Sequence, residues 1–107
     1  MKLIIAIINH DDAKAVAQAL TKSGFSSTKL ATTGGFLMAG NATFLVGVDE
    51  ERVDEAISVI KACSHSRRQL IPSASELLTG YYPSDPVEVT VGGATIFVVD
   101  IERFERA

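Results

Sequence analysis

The chain has no tryptophan, a single cysteine, two histidines and three prolines in 107 residues. Each shortage excludes something. A lone thiol, Cys63, has no partner for an internal disulfide, so a reducing compartment is expected and the cytoplasm is the natural one. His10 and His65 with one cysteine are too few for a zinc-ligand pattern, so no metal site is expected. The apolar run over residues 3–8 is far shorter than the ~20 residues of a membrane helix. It also lacks the cleavage-site chemistry of a signal peptide. Basic excess is missing too: 10 Lys and Arg against 13 Asp and Glu give a formal charge of −3. Without a basic stripe, general binding to nucleic acid or an anionic membrane is disfavoured. An anionic ligand would have to be held by a few local groups.

What is present fits a folded domain: 47% hydrophobic and 21% charged residues. The length suits one core and not two, so residues 1–107 form a single domain. Residues 3–8 are a continuous β-branched run, the pattern of a strand buried on both faces. Asp11 or Asp12 can cap a helix in which Ala13, Val16, Ala17 and Leu20 form one apolar stripe, with Gly24 as its stop. Residues 25–33 are a strand candidate rich in Thr and Ser, 34–40 a short glycine-flanked loop, and 43–48 a second apolar strand.

The first unit then recurs. Asp49 stands as the cap, and Val53, Ala56, Ile57 and Ile60 repeat the stripe forty positions on, residue 53 against residue 13. Residues 87–91 and 94–99 flank Gly92-Gly93, a two-residue hairpin signal. Between them and the second helix lies a long connection, 64–86. It holds all three prolines and Tyr81-Tyr82, and its Pro and Ser content suggests mobility. Within it Ser73 to Glu76 has capping-box spacing. These elements predict an α+β, ferredoxin-like βαββαβ fold with an extra C-terminal hairpin strand, its first and third strands central. Two helices cover one face of such a sheet. Residues 3–8 offer apolar side chains to both faces, so a second copy of the chain is the expected cover for the other.

Catalytic chemistry finds little support. His10 beside Asp11 and Asp12 fits a helix N-terminus better than a general base. Cys63 continues the stripe of the second helix, which makes it a packed residue and not half of a thiolate–imidazole pair with His65. No nucleophile elbow is present, and the chain is expected to be no enzyme. The glycine loop is neither a P-loop nor a dinucleotide fingerprint, because no Gly-Lys-Ser/Thr follows it and it joins two strands. A plain hairpin turn would explain its glycines. Phe36, Leu37 and Met38 at its tip, ringed by Thr32, Thr33 and Asn41, instead suit a purine and its phosphate.

Three blocks carry a family resemblance. They are Thr28-Lys29-Leu30-Ala31-Thr32-Thr33-Gly34-Gly35-Phe36-Leu37, then Ala39-Gly40-Asn41-Ala42-Thr43-Phe44, and later the run from Pro86 through Val91-Gly92-Gly93-Ala94-Thr95 to Val98. Together they resemble the PII-like cyclic-di-AMP receptors of Gram-positive bacteria, from Met1 to about Phe104. The resemblance implies a PII-like homotrimer that binds the dinucleotide in clefts between subunits, without catalysis or cofactor. Its loops would change shape on binding and so regulate a downstream protein. It implies that Thr28 hydrogen-bonds phosphate or base. Gly35, Phe36 and Leu37 would offer backbone amides and an apolar wall to an adenine. Asn41 would fix the loop and base edge, Gly47 would allow close approach, and Phe97 would add apolar contact.

Departures from the pattern bear on affinity. The family often carries an asparagine and an arginine just before Thr28, where this chain has Gly24 and Ser26, and a basic residue where it has Met38. Losing a charge-assisted contact weakens binding by about 1.5–3 kcal/mol, roughly ten- to a hundredfold. Lys29 and Arg106 are the candidate replacements, and strand alternation turns Lys29 away from Thr28. The ATP and 2-oxoglutarate pair of nitrogen-regulatory PII proteins is not expected, since residues 34–40 hold no tyrosine and no matching phosphate loop follows the second helix. Two other classes stay open: a PII-like interaction module with a weakened or different nucleotide site, and a small enzyme or metal-tolerance protein on the same scaffold.

Overall fold

A computed structural model describes residues 1–30, 40–71 and 87–107. Strand β1 (Lys2–Asn9) leads through one turn of 3-10 helix, His10–Asp12, into α1 (Ala13–Lys22) and then β2 (Ser27–Leu30). The same sequence of elements follows: β3 (Asn41–Val48), a 3-10 turn at Glu50–Arg52, α2 (Val53–Ser64) and β4 (Ser66–Ile71). Two further strands, β5 (Val87–Gly92) and β6 (Ala94–Asp100), complete the described chain. The forty-residue repeat is thus a repeat of structure, down to the 3-10 turn that opens each helix.

The main sheet is antiparallel with order β2-β3-β1-β6, so the two most apolar strands are its centre, as in a ferredoxin-like fold. Alternation divides β1 cleanly. Ile4, Ala6 and Ile8 point beneath the helices and are buried, while Leu3, Ile5 and Ile7 point to the other face and keep partial exposure. Ala42, Phe44, Val46 and Val48 of β3 join the covered side, and Val16, Leu20, Ala56 and Ile60 close it from the helices. The predicted stripes are therefore the core stripes, with Ala17, Val53, Ile57 and Cys63 packed at the margin.

Arg52 ties the repeats together. Its guanidinium lies 4.1 Å from the centre of the Phe25 ring, donates to the Ser23 carbonyl at 3.0 Å and pairs with Glu55 at 3.1 Å. The stop after α1 follows its sequence signal: Gly24 has φ +85° and donates to the Thr21 carbonyl at 3.0 Å. The cap before it follows in position only: Asp12 is the N-cap residue of α1, without a side-chain cap bond. Asn9, the last residue of β1 and two before Asp11, accepts from the Asp11 amide at 2.8 Å and opens the 3-10 turn. In the second repeat Asp49 is the N-cap of the 3-10 turn, without a side-chain cap bond, and Arg52 stands at the N-cap of α2.

Two topological expectations are corrected. The hairpin between 87–91 and 94–99 does not form: β6 pairs along β1, and β5 pairs with β4 in a separate two-stranded ribbon. Gly92 and Gly93 do have the positive φ of a tight turn, +79° and +89°, but they turn the chain from ribbon to sheet. The turn chemistry was local and correct, whereas the partner was decided by β1, which offers β6 a long apolar neighbour. The connection 64–86 likewise begins with a strand, β4, whose Ser-Arg-Arg-Gln run carries no alternating pattern. The capping-box turn at 73–76, Tyr81-Tyr82 and residues 31–39 lie outside the described residues.

Candidate ligand-binding site

Register sets the open face of the sheet. Thr28 pairs with Leu45, Leu45 with Ile5 and Ile5 with Phe97, so these four form one row across all four strands. Gly47, Leu3 and Val99 form the next row toward one end. Leu30, Thr43, Ile7 and Thr95 form the next toward the other end, and Asn41 opposite Asn9 lies beyond them. Strand spacing of about 4.8 Å separates Thr28 from Phe97 by about 14 Å. The four described residues that the family pattern selects, Thr28, Asn41, Gly47 and Phe97, thus share one face, opposite the helices. Gly35, Phe36 and Leu37 lie outside the described residues.

At the first end this face holds a crevice of about 490 Å³, within the range of small-ligand sites. Leu3, Leu45 and Gly47 form its floor, and the hydroxyl residues Ser26 and Thr28 form one side. The opposite side comes from the segment after β6: Ile101, Phe104 and Arg106. That segment is anchored at its root. The Ile101 amide donates to the Met1 carbonyl at 3.1 Å, and Lys2 pairs with Asp100 and lies 4.0 Å from Glu50. The Lys2 hydrogen bond and charge hold the Asp100 carboxyl below its ordinary range, and Asp100 in turn raises Lys2.

Gly47 is informative because the fold does not require it. A β-carbon built there would meet only the Met1 Cε, at 3.6 Å, an ordinary contact, and its φ is not in the left-handed region. Glycine within a strand costs roughly 0.5–1 kcal/mol relative to alanine. The space that it leaves opens into the crevice floor, where a close-approaching ligand would use it.

Asn41 does not reach this crevice. It lines a second one of about 320 Å³ at the other end of the face, with Asn9, Ile7 and the Gly92–Thr95 backbone turn. Phe97 lines neither and projects from the face half exposed, at 51%. Residues that the sequence pattern did not select are Ile101 and Phe104. Both follow the last strand, where nothing periodic marks them, and only the return of the segment beside Met1 and Thr28 brings them in. Among the described residues no three His, Cys, Asp or Glu side chains are grouped to hold a metal ion. No described helix is long and apolar enough to cross a membrane.

An α+β sheet with one helix-covered face, and on the other an apolar crevice edged by hydroxyls and a guanidinium, defines a ligand-binding domain of ferredoxin-like build. The chain belongs to the cyclic-di-AMP receptor family, whose sequence pattern matches residues 1–107. It is also similar to a functionally unknown protein from Pediococcus pentosaceus ATCC 25745, known from its crystal structure. The two are 42% identical over 99% of this chain and 96% of that one, with a TM-score of 0.75.

Proposed function

We propose that this protein is a non-enzymatic sensor that binds cyclic-di-AMP in crevices at the seams of a homotrimer. In this reading the loops 34–40 and 64–86 change conformation on binding and regulate a partner protein. The observation that carries the reading is the crevice of about 490 Å³, in which Thr28 and Gly47 of the family pattern meet on an apolar floor. An adenine would rest on that floor, while hydroxyls and backbone amides take the phosphate. Gly35, Phe36 and Leu37 would complete the pocket from the glycine loop, and Asn41, at the start of β3 beside the second crevice, would fix that loop where it rejoins the sheet.

The homotrimer is supported by apolar surface. Leu30, Phe97 and Val99 on the open face are exposed to 36%, 51% and 44%. Strand β6 is paired on one side only among the described residues and exposes three apolar residues in succession, Phe97, Val98 and Val99. A long apolar edge of that kind associates unless covered. With Phe97 about 14 Å across the sheet from Thr28, it would serve the crevice of a neighbouring subunit.

Calorimetric titration with cyclic-di-AMP, cyclic-di-GMP and ATP in parallel tests the ligand. Cyclic-di-AMP should bind in preference and raise the melting temperature with dose, because a ligand of the native state stabilises it by about 2.7 kcal/mol at a hundred times its Kd. Phe36→Ala should weaken binding and leave the oligomer intact. A folded oligomer unmoved by about 1 mM cyclic-di-AMP would end this reading and favour an interaction module.

A further inference from the structure

We infer that Arg106 is the anion-holding group of the crevice, directed at a phosphodiester of the dinucleotide, and that Arg103 keeps it available by occupying Glu105; this rests on the ligand class proposed above. Arg106 is the only cationic side chain among the described residues that line the crevice, and it stands on the side facing the Ser26 and Thr28 hydroxyls. It is exposed and makes no ion pair or hydrogen bond among the described residues, so its donors are free for a ligand. A guanidinium opposite two hydroxyls is a phosphate-binding arrangement, since its planar donors match two phosphate oxygens while the hydroxyls donate from the other side.

Glu105 lines the same crevice and would repel an anion or capture Arg106. Its carboxylate is instead held by Arg103, whose Nη2 lies 2.5 Å from Glu105 Oε1. The segment thus spends one arginine on its own carboxylate and leaves the next one unpaired. Lys29, the other cation near Thr28 in sequence, is not available. It pairs with Phe44 in the sheet register and so lies on the helix side, opposite to Thr28.

The test is calorimetric titration of the full chain with cyclic-di-AMP at fixed ionic strength, using the parent, Arg106→Gln, Arg103→Gln and Lys29→Gln. Arg106→Gln should weaken binding about ten- to a hundredfold at an unchanged melting temperature. Arg103→Gln should weaken it by a smaller factor, because Glu105 is released toward Arg106, and Glu105→Gln in the same chain should restore the loss. Lys29→Gln removes the same charge from the wrong face and should change little. Parent binding that Arg106→Gln leaves intact, or equal losses from Arg106→Gln and Lys29→Gln, would overturn the inference while the ligand stands. A parent that does not bind overturns the ligand and this inference with it.

Discussion

The two faces of the main sheet are built from the same strands and differ only by one step of register. On the helix side Ile4, Ala6, Ile8, Phe44 and Val46 are no more than 1% exposed. On the other side Leu3, Ile5, Ile7 and Leu45 remain partly open, and Phe97 and Val99 largely so. An apolar face left open is unfavourable for a lone domain in water, and each large side chain on it forgoes part of the about 1.5–3 kcal/mol that full burial would give. The covered side therefore holds the fold, and the open side is apolar without cover from the helices. Thr43 is the exception that sharpens the contrast. It faces the open side yet is 3% exposed, and among the described residues its Oγ1 is buried without a hydrogen-bond partner.

Four measurements can break this comparison. Phe44→Ala should have the largest effect, a loss of about 3–5 kcal/mol in denaturant unfolding, from removing the largest wholly buried side chain among the described residues. A loss under about 1 kcal/mol would mean that the core is misassigned. Ile5→Glu, one residue from the core on the open face, should leave the far-ultraviolet spectrum unchanged and convert the oligomer to monomer in sedimentation. Unfolding instead would show that the open face also holds the fold. Gly47→Val should leave stability within about 1 kcal/mol, since strand propensity favours valine, yet weaken ligand binding about tenfold by filling the crevice floor.

The smallest effect concerns pH. Asp100 and Glu55 have carboxyls lowered by hydrogen bonds from Lys2 and Arg52, so their folded pKa lies below the unfolded one. Their contribution is present at neutral pH and disappears as pH falls through the folded values. Lys2 is raised, and its share disappears only as pH climbs through its folded value, beyond the ordinary lysine range. All these groups are solvent-exposed, so salt should screen the effect. Lys2→Met should flatten part of the acid limb of a stability profile, and an unchanged profile would remove the pair from consideration.

Much of the covered side is legible in the sequence, because burial writes a period into the chain. The 3.6-residue stripes of α1 and α2 and the apolar runs of β1 and β3 are such records. Strand β4 left none, its Ser-Arg-Arg-Gln opening being polar throughout. The Gly92-Gly93 signal specified a bend but not which strands meet after it, since pairing is a property of the whole sheet. For the candidate site, the family blocks brought Thr28 and Gly47 to one crevice and Asn41 to another. The side made by Ile101 and Phe104 had no local mark, because it depends on where the chain goes after its last strand.

The glycine corner before β6 has one more consequence. Both residues there sit at positive φ, and a β-carbon on Gly93 would lie 3.4 Å from that of Ser66, so the bend admits little variation. It therefore fixes the parity of everything downstream: odd-numbered residues of β6 look away from the helices and even-numbered ones toward them. A single residue added between Gly93 and Ala94 would have to be extruded as a bulge or would turn the strand over, exchanging Phe97 and Val99 for Ile96 and Val98. Insertions of two residues would pass more quietly than insertions of one.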